Sequence, residues 1–316
     1  VVTGAAGGAH VTQGATGVGA PGPGVQAGWT GAGAAARALV VKLGGRALDA
    51  PGSLAQCAAE LQQAAGHGPA AHVHGAARRA LVVVHGGGAE VTAWCARAGI
   101  EARFAGGLRL TDRPTLEIAA AVLAGLANKR LVAALRARGL DAVGLSALDG
   151  GIARVRRHRD AEVLGEVGEV ASVDASLLVQ LLAAGRTPVL ASLGDDGHGA
   201  LLNLNADDVA AAVAAALPAA DLVLLSDTAG LRLAGGRVDS LDLAALARAL
   251  GHPDVTGGML PKLRAAQAAL AGGVRRVHIA AWQGAGTLAA ILDGTAVATT
   301  CHAGPIHDTE TEESHA

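Results

Sequence analysis

The chain has 316 residues, 51% of them hydrophobic, and a formal net charge of −2 with no long basic block. That is enough apolar material for one large core or two smaller ones, and the charge balance points away from nucleic acid as a partner. Three widely spaced cysteines, Cys57, Cys95 and Cys301, form no C-x-x-C pair, which argues against a zinc ribbon or disulfide framework and for a reducing compartment.

Residues 1–36 carry no Asp, Glu, Lys or Arg and no periodicity, so a disordered Gly/Ala-rich leader is expected there. The leader contains "GVGAPG" at 17–22, a literal G-x-G-x-x-G, but no strand pattern precedes it and no helix pattern follows closely. From residue 37 the pattern changes. "ALVVKLGG" (38–45) and "ALVVVHGGG" (80–88) read as strands closed by glycine, with a helical segment between them, the order of a parallel βαβ unit. The intervening "HVH" at 72–74 has no third ligand nearby and reads as a solvated loop. A long helical pattern covers 113–139 and ends in glycine, and "TPVLASL" (187–193) reads as a strand. A helix over 205–217, a strand and turn over 220–230, a helix over 259–273 and a strand over 274–280 complete an α/β alternation, before a polar, loose tail from 304 to 316. "VAAAVAAAL" (209–217) is too short to span a bilayer, and the pattern predicts a soluble cytoplasmic protein with no membrane partner.

Composition also says which residues to watch. Lysine occurs at 42, 129 and 262 alone, and asparagine at 128, 203 and 205 alone, while Arg supplies the surface charge. A bias against AT-rich codons would leave Lys and Asn mainly where Arg cannot substitute. No P-loop, G-x-S-x-G or H-E-x-x-H signature is present. Glycines at the carboxyl ends of parallel strands, Gly44 and Gly45 after the first and Gly86, Gly87 and Gly88 after the second, would expose backbone N–H groups where α/β proteins bind ligands. Lys42 would aim its ammonium into the same crevice. Lys262 follows "TGGML" near the start of a helix, and "LLNLNADDVA" (201–210) places Asn203, Asn205 and Asp207 at a strand-to-helix transition. Asp207 is either a helix cap or a functional carboxylate. Two lysines, one Asp, two glycine turns and no activated nucleophile suggest phosphoryl transfer by positioning and charge neutralisation.

In consistent order from about 38 to 303, "VVKLGG", "VVHGGG", "GLRLTD", "ANKRLV", "AVGLSALDG", "NLNADDVA", "LVLLSDTAGL", "TGGMLPKL" and "HIAAWQG" resemble the amino acid kinase family, and within it the branch that phosphorylates N-acetyl-L-glutamate. The resemblance implies a three-layer αβα sandwich with an open, mainly parallel central sheet. It implies an N-terminal lobe over 37–203, for acetylglutamate binding and dimerisation, and an ATP-binding C-terminal lobe over 204–303. Lys42 and Lys262 are then the cations on the transferring phosphoryl group, with Asp207 orienting both. Gly44, Gly45 and Gly87 resemble backbone donors to the γ-phosphate, and Gly87, Gly88, Arg109 and Asn203 resemble the acceptor site. Asp227, Thr228, Gly230, Leu231, Gly258 and Met259 lie where the family lines the nucleotide site. The resemblance implies ATP with Mg²⁺ held mainly by phosphates and water, and no protein metal ligand. A carboxylate acceptor is already ionised near pH 7, so no base is needed.

The chain lacks the aromatic-containing helix and E-G-x-G-T segment of arginine-inhibited members, and "IAAWQGAGTLAAILDG" (279–294) resembles the arginine-insensitive, homodimeric type. Two rivals share parts of the pattern. One is a kinase for carrier-protein-linked aminoadipate, which "GLRLT", "NLNAD" and "GGMLPK" disfavour. The other is the arginine-binding, kinase-like module of an acetylglutamate synthase, for which an acetyltransferase domain would be expected after residue 316.

Overall fold

The computed structural model describes residues 38–49, 52–66, 79–217 and 219–304. The leader with its "GVGAPG", the "HVH" loop and the tail from 305 lie outside the described residues.

An eight-stranded sheet has interior strands rich in Val, Leu and Ile that are buried on both faces, with partly exposed strands towards its edges. Its order is Ser240–Asp242, Ala298–His302, Arg276–Ala281, Asp221–Ser226, Leu39–Leu43, Leu81–His85, Thr187–Ala191, Ala142–Ser146. Every neighbouring pair is parallel except Arg276–Ala281 with Ala298–His302. The sheet is therefore open and mainly parallel. The first strand lies in its interior: the following strands up to Thr187–Ala191 extend it on one side, and those from Asp221 onward extend it on the other. Such a reversal of strand order opens a crevice beyond the carboxyl ends of the strands.

The two-residue period of the first strand decides what each face meets. Leu39, Val41 and Leu43 enter a core cluster with Cys57, Ala58 and Leu61 of Ser53–Ala64 and with Leu131 and Leu135 of Asn128–Ala137. Val40 faces the other way, into a cluster with Val209, Ala210 and Val213 of Ala206–Ala216 and Leu263, Ala266 and Ala269 of Met259–Ala271. Helices thus cover both faces of the sheet, and Lys42 shares the Val40 face.

The helical stretch predicted over 113–139 runs from Arg113 to Ala137, with a π-helical segment over Ala121–Ala127. By length and composition it could cross a membrane. Here it lays Leu131 and Leu135 against the sheet, and Asn128 is fully enclosed. A second, four-stranded sheet, ordered Ala153–Arg157, Val167–Val173, Leu201–Leu204, Leu193–Asp195, was not foreseen from the sequence. It ends at Asn203 and Leu204, directly before the helix that carries Asp207.

Candidate active site

At the carboxyl end of its strand, Lys42 points to the face shared with two helix N-terminal turns. Its Nζ lies 2.8 Å from Asp207 Oδ1, and Lys262 Nζ donates to Asp207 Oδ2 at 2.8 Å. All three side chains are buried. Burial alone would push the Asp207 carboxyl up, but the two ammonium groups, Lys42 foremost, hold it below the usual carboxylate range. The helix-cap alternative for Asp207 resolves in favour of Asn205, whose Oδ1 accepts from the amides of Asp207 at 2.8 Å and Asp208 at 3.2 Å. With the cap supplied one turn edge earlier, the Asp207 carboxylate is left for the lysines.

A cavity of about 260 Å³ opens beside this bridge. Its lining brings together Lys42, Gly86, Gly87, Gly88, Arg109, Asn203, Asn205 and Asp207, all singled out in the sequence, and adds Phe104 and Ser192. Arg109 Nη2 donates to Gly88 O and to Thr92 Oγ1, both at 2.7 Å, and its guanidinium lies 4.8 Å from the centre of the Phe104 ring. Its Nη1 is buried without a hydrogen-bond partner. Burial lowers the Arg109 pKa, yet a guanidinium keeps its charge at neutral pH. A held, buried cation with a spare donor suits a ligand carboxylate. Behind it Thr111 donates to Arg109 O at 3.0 Å and accepts from Asn203 Nδ2 at 3.1 Å, so one fully buried hydroxyl joins two predicted acceptor-site residues.

Lys262, Gly44, Gly45, Asp227, Thr228, Gly230, Leu231, Gly258 and Met259 are not among the residues that line this cavity, and Lys262 joins the site through its bond to Asp207. Gly44 closes on Lys42: a Cβ there would lie 2.8 Å from Nζ. Gly45 has φ +56°, and a Cβ would lie 2.4 Å from an Asp227 carboxylate oxygen. Gly258 precedes the helix that begins at Met259 and carries Lys262. Thr228 is exposed and its amide donates to Ser226 Oγ at 3.2 Å. Leu231 is buried in the core, with its amide donating to Thr299 Oγ1 at 2.7 Å, so its side chain is a packing group. The amides of Gly44, Gly45 and Gly87 have no backbone acceptor among the described residues. Among the residues lining the cavity, Lys42 and Arg109 outnumber the one carboxylate, Asp207, which suits the cavity to anions. Among the described residues there is no group of three or more His, Cys, Asp or Glu that could hold a metal ion.

Residues 37–281 match the Amino acid kinase family. An acetylglutamate kinase from Symbiobacterium thermophilum is 46% identical over 209 residues, 63% of this chain and 71% of that protein. One from Chloroflexus aurantiacus is 41% identical over 254 residues, 78% of this chain and 94% of that protein. Among solved structures, an N-acetylglutamate synthase from Neisseria gonorrhoeae superposes with a TM-score of 0.71 at 25% identity, over 85% of this chain and 60% of that one.

Proposed function

The chain belongs to the amino acid kinase family, and from that premise we propose that it transfers the γ-phosphoryl group of MgATP to the γ-carboxylate of N-acetyl-L-glutamate, giving an acyl phosphate and ADP within arginine biosynthesis. The observation that carries this reading is Arg109, a buried guanidinium with a spare Nη1, facing the same cavity as Lys42 and Asp207, with Lys262 bound to the other carboxylate oxygen of Asp207. Arg109 binds a carboxylate of the amino acid remote from the reaction, and Asn203 bonds its other side. Gly87 and Gly88 touch the acceptor, and the Gly87 N–H is the donor to the transferring phosphoryl group. Lys42 and Lys262 neutralise the charge that spreads over the transferring phosphoryl oxygens, and Asp207 holds both ammonium groups in place before the substrates arrive. Because that geometry is prepaid, little reorganisation is left for the reactive moment. Gly44, Gly45, Asp227, Thr228, Gly230, Leu231, Gly258 and Met259 form the nucleotide side, with Gly44 and Gly45 donating to phosphate and Leu231 contributing through its backbone. The two substrates meet between an acceptor lobe over 37–203 and a nucleotide lobe over 204–303. Mg²⁺ enters with ATP, held by phosphates and water.

We further propose an arginine-insensitive homodimer acting in the cytoplasm, on the likeness of the 279–294 segment to that type. Light scattering during gel filtration tests the dimer, and unchanged turnover under added arginine tests the insensitivity.

The decisive experiment is a substrate panel. With MgATP, ADP formation with N-acetylglutamate should exceed that with glutamate, aspartate, aminoadipate or carbamate by roughly 100-fold or more, since each alternative leaves a site group unpaired. Equal rates across the panel, or none, would remove the substrate assignment; arginine binding without turnover would favour the regulatory-module reading.

A further inference from the structure

His85 ends the second strand, directly before the glycine loop, and has no exposed surface. Its Nδ1 lies 2.8 Å from Gly86 O, and its Nε2 lies 3.0 Å from Asn128 Nδ2. The orientation of the Asn128 amide is dictated by its other neighbours. Its Nδ2 faces three acceptors, Val189 O at 3.0 Å, Leu145 O at 3.2 Å and His85 Nε2, which share its two hydrogens through a three-centre bond, and its Oδ1 accepts from Lys129 Nζ at 3.0 Å; Gly86 O, which can only accept, likewise calls for a proton on His85 Nδ1. Asn128 therefore presents a donor to His85, so Nε2 must be the unprotonated nitrogen. The proton sits on Nδ1 and is donated to Gly86 O. Gly144 leaves the space for this amide: a Cβ there would lie 2.2 Å from Asn128 Oδ1.

The anchored carbonyl has a consequence across the peptide. In the trans Gly86–Gly87 unit the Gly87 N–H points opposite to the Gly86 C=O. It therefore points away from the His85 ring, on a loop whose three glycines line the cavity with Lys42 and Arg109. That amide has no protein acceptor among the described residues. A triple-glycine loop left to itself would sample many orientations of this peptide. We propose that His85, held in its Nδ1–H tautomer by Asn128 and Lys129, is a positioning residue that fixes the Gly86–Gly87 peptide so that the Gly87 N–H is pre-aimed at the transferring phosphoryl group. The inference rests on the phosphoryl-transfer reading of this cavity. It also gives work to Asn128 and Lys129, members of the two scarce residue types that the acceptor and phosphate sites do not use.

The imidazole ¹⁵N shifts of His85 in the folded protein test the tautomer without any substitution. A protonated Nδ1 and bare Nε2 are expected, and the reverse overturns the proposal. Three variants test the aim of the amide. His85→Asn can still donate to Gly86 O and should keep kcat within about 5-fold, whereas His85→Gln loses that bond and should lose about 10- to 100-fold in kcat. Gly144→Ala, whose Cβ would meet Asn128 Oδ1, Lys129 Nζ and Val132 but not His85, should lose kcat in the same direction. KM values should move little, and the complex of MgADP, aluminium fluoride and N-acetylglutamate should weaken in parallel with kcat. A merely structural role predicts instead that His85→Asn and His85→Gln fall together with their melting temperatures, or that folded His85→Gln keeps full kcat; either result overturns the proposal. If the unsubstituted protein does not turn over N-acetylglutamate, the phosphorylation reading fails, while the tautomer and the hydrogen exchange of the Gly87 amide still decide the positioning claim.

Discussion

Lys42 lies on a face where its neighbours are apolar, and it is kept there by one carboxylate and by the absence of a side chain at Gly44. Adding a Cβ at Gly44 places it 2.8 Å from Nζ, so Gly44→Ala should push the ammonium off line and lower kcat by at least about 10-fold, with little loss of stability at a strand end. Lys42→Arg puts a planar fork into a pocket shaped for a point charge and should cost about 10³-fold in kcat while MgATP still binds. Arg109→Lys, by contrast, loses the paired donors and should chiefly raise the KM for N-acetylglutamate. Steady-state kinetics separate these cases; a near-normal kcat in Lys42→Arg would end its assigned role. Lys42 and Lys262 stand out in the sequence as candidates because lysine is scarce and both flank glycine turns, and the structure brings both onto Asp207. Asp207 was legible as a candidate alone, since spacing cannot distinguish a cap from a lysine partner until Asn205 is seen to take the amides. His85, Thr92 and Thr111 were invisible as site supports because the groups they join lie far along the chain, as in the 92-residue separation of Thr111 from Asn203.

The helix Ala206–Ala216 does two jobs at its first turn: Asn205 caps it, and Asp207 leaves it for the lysines. Its N-terminal dipole also favours the Asp207 carboxylate. Asn205→Ala should therefore cost about 1 kcal/mol in urea unfolding, and Asn205→Asp should restore most of it. Because the cap fixes the turn that aims Asp207, the Ala variant should also lose kcat; a normal kcat at reduced stability would separate the two jobs. Elements with a clear period were readable, and the predicted helix over 205–217 and the strands near 38–45 and 80–88 have their counterparts in Ala206–Ala216, Leu39–Leu43 and Leu81–His85. The second sheet was not. The Ala153–Arg157 strand, "ARVRR", alternates over Ala153 and Val155 only, between exposed arginines, which is too short a pattern to single out a strand. The π-helical turns over Ala121–Ala127 share the Ala/Leu composition of an ordinary helix. Long-range capping is equally silent: Glu60 accepts from the amides of Gly286 at 2.6 Å and Leu288 at 3.0 Å, closing the Thr287–Leu292 helix from 226 residues away.

Across the whole sheet, the candidate site and a buried ion-pair anchor sit at opposite ends of the strands. Lys42 and the glycine loops occupy the carboxyl ends. At the amino ends Asp221, buried, takes Arg276 Nε at 2.8 Å and has Arg79 Nη2 at 3.6 Å and His278 Nε2 at 3.5 Å. Burial would raise the Asp221 pKa, but the His278 and Arg276 side chains outweigh it and bring the carboxyl down to about 2. A depressed carboxylate stabilises the fold fully above its unfolded value of 3.8, and the contribution fades as pH falls from there through about 2. The shift corresponds to about 2 kcal/mol, and Asp221→Asn should remove it at neutral pH, lowering Tm by roughly 4–8 °C. The stability gap between the Asn variant and the unsubstituted chain should then close as the pH is lowered from about 4 towards about 2. Since the strand length separates Asp221 from the Lys42 crevice, kcat at 25 °C should stay unchanged while the protein is folded. Urea unfolding across pH beside initial rates reads both, and a fall in kcat matching the fall in stability would show that the two ends of the sheet are coupled through the strands that join them.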